Sequence, residues 1–86
     1  MSGRKFKVGI DIMLLPELLD PQGVVVHKAL QQLGFQGIEK VRVGKHIDID
    51  IEASDREEAI QIAEEMCSKL LANPVVETYR IHVEEL

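Results

Sequence analysis

Between Ile38 and Glu52 one apolar row keeps its phase without a break: Val41, Val43, Ile47, Ile49 and Ile51 all fall on odd positions. Side chains alternate faces along a strand, so a constant phase fixes which residues point inward. The row runs straight through Gly44-Lys45-His46, the one place where the chain could turn. A two-residue hairpin there pairs residue 43 with 46 and turns His46, Asp48 and Asp50 inward, burying two carboxylates; it is rejected. A three-residue hairpin keeps the phase and stays open as an alternative. The preferred reading is one long bent strand, with Lys45 interrupting the apolar row beside Gly44, a position for a bulge or bend. At about 3.3 Å per residue such a strand spans about 45–50 Å, far beyond the usual five or six residues. It points to a sheet shared between copies.

The flanking segments supply the other elements. Phe6, Val8, Ile10, Ile12 and Leu14 alternate with Lys5, Lys7, Gly9, Asp11 and Met13, which predicts a first strand with one buried face. Leu15-Pro16-Glu17-Leu18-Leu19 reads as a connector. Asp20 caps a helix with Pro21 at its first position; Val26, Ala29, Leu30 and Leu33 form its apolar stripe, and Gly34 stops it. Ser54 and Glu57 read as a capping box opening a second helix, with Ala59, Ile62, Ala63, Met66 and Leu70 buried and Asn73-Pro74 ending it. A last strand places Val75, Tyr79, Ile81 and Val83 inward. The fold class is therefore α+β: a small, largely antiparallel sheet with two helices on one face, in the order β-α-β-α-β. It becomes a ferredoxin-like β-α-β-β-α-β if residues 44–46 turn.

Eighty-six residues make one domain, residues 1–86, of which 1–4 read as a short disordered extension. A chain this short buries only about 60–65% of its unfolded surface and needs reinforcement. A single cysteine, Cys67, precludes an internal disulfide, which leaves self-association as a dimer or tetramer. No apolar run approaches the ~20 residues of a membrane helix and no signal pattern opens the chain, so a cytoplasmic setting is expected. The net charge of −5 is split, with seven Lys/Arg against four Asp/Glu up to His46 and three against eleven after it. An acidic chain with three aromatics neither neutralises phosphates nor stacks bases well, which argues against nucleic acid and for charged protein partners.

Little in the chain reads as chemistry. No phosphate-binding glycine loop, dinucleotide fingerprint, zinc-protease or nucleophile-elbow motif is present. Cys67 falls mid-helix with no histidine nearby in sequence, as a packed thiol does. Asp48, Asp50 and Glu52 line one side of a strand, as outward charges that deter edge association do. His27, His46 and His82 lie on three separate elements without ligand spacing, so they read as surface residues rather than a metal site. No catalytic, cofactor-binding or metal residue is assigned. The candidate partner-interface residues are Asp20, Gln22 and Gly23, at a helix start whose free amides suit an anionic group, and Arg42 and Lys45, flanking Gly44. Arg42 and Lys45 are expected to serve assembly rather than folding.

Three stretches in order, Leu18–Gly34 (LLDPQGVVVHKALQQLG), Val41–Lys45 (VRVGK) and Met66–Glu85 (MCSKLLANPVVETYRIHVEE), resemble the PurS family, the small subunits of phosphoribosylformylglycinamidine synthase. The resemblance covers residues 5–86. It implies a synthase of three separate chains in purine biosynthesis. A glutaminase subunit releases ammonia, and a large subunit holding ATP and Mg converts formylglycinamide ribonucleotide to the amidine. The small subunit bridges them without an active site or cofactor of its own. One departure is Leu15, where many relatives carry a basic residue. The competing readings are a small-ligand regulatory module of ferredoxin-like type, which needs a polar glycine-rich loop where only Gln22-Gly23 stands, and a small enzyme using the acidic strand residues.

Overall fold

The structure, a computed structural model, describes residues 3–86. Its elements are β1 (Arg4–Leu14), α1 (Pro21–Gln32), β2 (Lys45–Ala53), α2 (Arg56–Met66), a π-helical turn (Cys67–Leu71) and β3 (Glu77–Glu85). The three strands lie in the order β2-β1-β3, both pairings antiparallel. The predicted α+β class and the β-α-β-α-β order hold. Arg4 was expected outside the fold; it pairs with Ala53 and forms an ion pair with Glu85 at 2.9 Å. Met1 and Ser2 of that expected extension lie outside the described residues.

The core follows from register. Phe6, Val8 and Ile10 face Ile51, Ile49 and Ile47 on one side, and Val8 and Ile10 face Val83 and Ile81 on the other. Phe6, Val8, Ile10 and Ile12 retain no more than 1% exposure. Against this row α2 lays Ala59 and Ala63 and the π-helical turn lays Cys67, all at 0% exposure, so small side chains bring the helix backbone close to the sheet. Three predicted members of this core sit outside it: Leu70 is 81% exposed beyond the end of α2, Val75 is 78% exposed before β3 begins, and Tyr79 is exposed on β3. The cap of α2 is one residue later than predicted. Asp55, not Ser54, accepts from the Glu58 amide at 2.8 Å, and Glu58 rather than Glu57 reaches back to accept from the Ser54 amide at 2.7 Å.

The long bent strand is not formed within one chain. Only Lys45–Ala53 is strand; residues 35–44 run outside the sheet. The reason is the length of the neighbour. Ile12, opposite Lys45, is the last residue of β1 paired with β2, and the chain turns away after Leu14, leaving Val41 and Val43 nothing to pair with. A hairpin at 44–46 is also corrected, because Lys45 and His46 are already paired with Ile12 and Asp11. The ferredoxin-like alternative falls with it.

Only α2 covers the sheet; the expectation of two helices on one face is corrected for α1. A three-stranded sheet offers one narrow apolar face, and α2 occupies it. The predicted stripe of α1 is accordingly open, with Val26 at 39% and Leu33 at 74% exposure, and Gly34, at φ 99°, closes the helix away from the core. The molecule measures 56 × 27 × 15 Å with a radius of gyration of 16.8 Å. A spherical chain of this length has about 12 Å.

Candidate functional site

The five predicted interface residues converge where α1, the β1–α1 connector and residues 41–45 meet. Asp20 is the organiser. Its carboxylate accepts from the Gly23 amide at 3.0 Å, capping α1, and from the Val43 amide at 2.8 Å, anchoring the returning chain. The Val43 and Gly23 amides, with the Arg42 guanidinium adding, hold this nearly buried carboxyl below the usual carboxylate range against the opposing effect of burial. Gly23 lies so close to Val41 that a β-carbon would run into the Val41 carbonyl oxygen. His27 adds a second tie, its Nε2 lying 2.9 Å from the Ile38 carbonyl oxygen.

Arg42 departs from expectation. Its side chain is only 19% exposed and its guanidinium is spent on backbone: Nη2 donates to the carbonyls of Leu14 at 2.9 Å and Leu15 at 3.0 Å. Nη1 donates to those of Pro16 at 3.1 Å and Leu18 at 3.4 Å, while Nε stands 3.9 Å from Asp20. A planar cation with a fixed fork of donors suits a turn whose carbonyls have no strand to pair with. The expectation that Arg42 is not needed for folding is corrected; it fastens the connector. Lys45 is exposed, as expected.

Asp20, Gln22 and Lys45 line an open cleft of about 270 Å³ with Gly44 and Glu77, and Gly23 and Arg42 border an adjoining one of about 180 Å³. The cleft carries one cation and two carboxylates over an apolar floor of Ile12, Leu14 and Val43. Cys67 is a packed thiol: burial, with the Glu64 carboxylate adding, pushes its pKa up, away from the thiolate.

One constellation escaped the sequence reading. His46 and His82, on different strands, are joined through Asp11, and His46 also contacts Asp48. The legible signal was Gly9 in the middle of a strand, where a missing side chain marks close approach by a neighbour. Asp50 and Glu52 stay outward and exposed, as expected.

A family model described as phosphoribosylformylglycinamidine (FGAM) synthase, PurS, matches residues 7–85. The PurS subunit of that synthase from Bacillus subtilis is 43% identical over 94% of this chain and 95% of its own length. The Synechocystis counterpart is 44% identical over 90% of this chain and 77% of its own. Among solved structures, Methanocaldococcus jannaschii PurS superposes with a TM-score of 0.86 at 41% identity, covering 94% of this chain and 98% of that one. A chain of the PurLQS structure from Thermotoga maritima gives 0.83 at 36% identity, covering 95% and 98%. Matched by the family model over residues 7–85, and by curated relatives and solved structures along nearly its whole length, the chain belongs to the PurS family.

Proposed function

We propose that this chain is the accessory subunit of a phosphoribosylformylglycinamidine synthase, bridging a glutaminase subunit and a large ATP-dependent synthase subunit in purine biosynthesis. The family match over residues 7–85 carries the reading, and the likeness to a chain of Thermotoga maritima PurLQS supports an assembly with the other subunits. The shape supports it as well: a thin molecule with an apolar helix standing off its own sheet is built for contact. Chemistry belongs to the partners. ATP and Mg sit on the large subunit, and this chain contributes no catalytic group. Its one thiol is sealed in the core, and Asp20 and Arg42 are occupied in holding the backbone. The subunit self-associates as a dimer or tetramer and works in the cytoplasm. Among the described residues no helix is long and apolar enough to cross a membrane. A bridging protein has physical value here because ammonia released into neutral water is mostly protonated and lost as a nucleophile, whereas a closed path keeps it reactive.

The test is reconstitution. Glutamine-dependent amidine formation is measured with the glutaminase and large subunits mixed with and without this chain. Activity that depends on its addition is expected; equal rates in both mixtures overturn the reading. A regulatory module is not favoured, since Gly23 is buried in the first turn of α1 against Val41 and offers no ligand-binding loop.

A further inference from the structure

The face of the sheet turned away from α2 carries no helix, and a continuous chain of polar contacts runs across it. His82 Nε2 lies 2.7 Å from Asp11 Oδ2, Asp11 Oδ1 lies 2.6 Å from His46 Nδ1, and His46 Nε2 lies 2.7 Å from Asp48 Oδ1. Register explains how they meet. Asp11 is opposite His46, while Gly9, one level along the same face, is opposite both Asp48 on β2 and His82 on β3. His46 therefore reaches over Gly9, the one position on that row without a side chain. A β-carbon there would lie 3.1 Å from the imidazole Cε1.

This geometry selects a protonation state. A neutral imidazole has one N–H and one lone pair, and it can donate to only one carboxylate. Both ring nitrogens of His46 face carboxylate oxygens at contact distance, an arrangement that needs two donors and hence the imidazolium. The charged groups on this face come from all three strands: Asp11 and Lys7 on β1, Asp48 and Asp50 on β2, Arg80, His82 and Glu84 on β3. The two carboxylates in direct contact favour the cation; the positive charges of Lys7 and Arg80 on the same face oppose it. Among the described residues no three His, Cys, Asp or Glu side chains converge to hold a metal ion.

We propose that His46 is a proton-operated clamp that holds the beginning of β2 onto β1, closed when the imidazole is charged and opened as it loses its proton. Its position gives the clamp its reach. His46 is the second residue of β2, immediately after the unpaired segment 35–44 that carries Arg42 and leads into Lys45. Loss of the proton turns one ring nitrogen into a lone pair facing a carboxylate, so the ring no longer holds Asp11 across the strands and Asp48 within β2 at once, and without its charge the tie to β1 weakens. The hydrogen bonds to Asp11 and then Asp48 raise the His46 pKa above 6.5. The bonds to His46 and His82 lower that of Asp11 below 3.8. A raised folded-state value for His46 means its stabilisation is complete below about pH 6.5 and is lost as pH climbs through the folded value. Asp11 works oppositely, its contribution failing only in strong acid. The clamp is thus closed in mildly acidic solution and opens on the alkaline side.

Imidazole ring-proton NMR of the full chain reads this directly. The His46 midpoint is expected above 6.5 in the parent protein, and lower in both Asp48→Asn and Gly9→Ala; the second variant leaves every titrating group in place and only pushes the ring aside. Amide protection factors at Lys45–Ile47 are expected to fall severalfold across the His46 titration in the parent and to stay flat in His46→Gln. A parent midpoint at or below 6.5, a midpoint unmoved by both variants, or the same protection profile in His46→Gln overturns the clamp.

Discussion

Arg42 and Asp20 divide one task at the residue scale. Arg42 bonds four carbonyls, that of Leu14 at the end of β1 and those of Leu15, Pro16 and Leu18 in the connector, and Asp20 satisfies two amides of segments arriving there. Removing the guanidinium leaves partly buried carbonyls short of donors, although that of Leu15 still accepts from the Leu18 amide. Arg42→Ala is therefore expected to cost about 1–3 kcal/mol. At about 4–8 °C per kcal/mol for a domain this size, a thermal melt measures it easily. Lys45→Ala, at an exposed site, is expected to stay within about 0.5 kcal/mol. Asp20 is a pH reporter. Its lowered folded-state pKa means its stabilisation is present above the unfolded carboxylate value and disappears as pH falls through the folded one. Asp20→Asn is expected to flatten the acid limb of the stability profile below about pH 4, followed by circular dichroism. The sequence made Asp20 legible because capping is a local rule. Arg42 was misread because its four acceptors lie 24 to 28 residues away, on a turn whose path no local pattern encodes.

The two helices differ in what they need. α2 is committed to the sheet through Ala59 and Ala63, where a β-carbon is all the gap holds. Ala63→Leu is expected to lower stability by about 1–3 kcal/mol through overpacking, read by urea titration. α1 is uncommitted, so Leu33→Asp is expected to leave the helix content of the protein intact while reducing its self-association in sedimentation runs. A large loss of stability at a site 74% exposed would mean that α1 packs on its own core. Alternation gave the inward face of every strand, and Ile47, Ile49 and Ile51 do line the sheet. What alternation does not reveal is whether a partner strand exists. Val41 and Val43 keep the same phase with no strand beside them, because β1 ends the ladder at Ile12. α1 meets a related limit: its stripe obeys helical periodicity, but the one apolar face of the sheet is taken by α2 and the other face is charged.

At the scale of the whole molecule the dominant fact is its proportion, 56 Å long and 15 Å thin. Of the apolar side chains left outside, Val24, Val25 and Val26 lie on α1 and Leu33 and Phe35 just after it, while Leu70, Val75 and Leu86 lie elsewhere. Light scattering at micromolar concentration is expected to give a dimer or tetramer, and a monomer that persists at high concentration would count against a shared sheet. A body this thin has little interior, and the consequence concerns time rather than geometry. Its unfolding barrier rests on one row of buried residues along β1 and a single helix, so the lone polypeptide samples open states often. Proteolysis acts on such openings, and anything that binds only the closed form suppresses them by mass action. Copies made in excess of their companions are therefore expected to be cleared first, a difference that pulse-chase labelling with and without the other subunits measures.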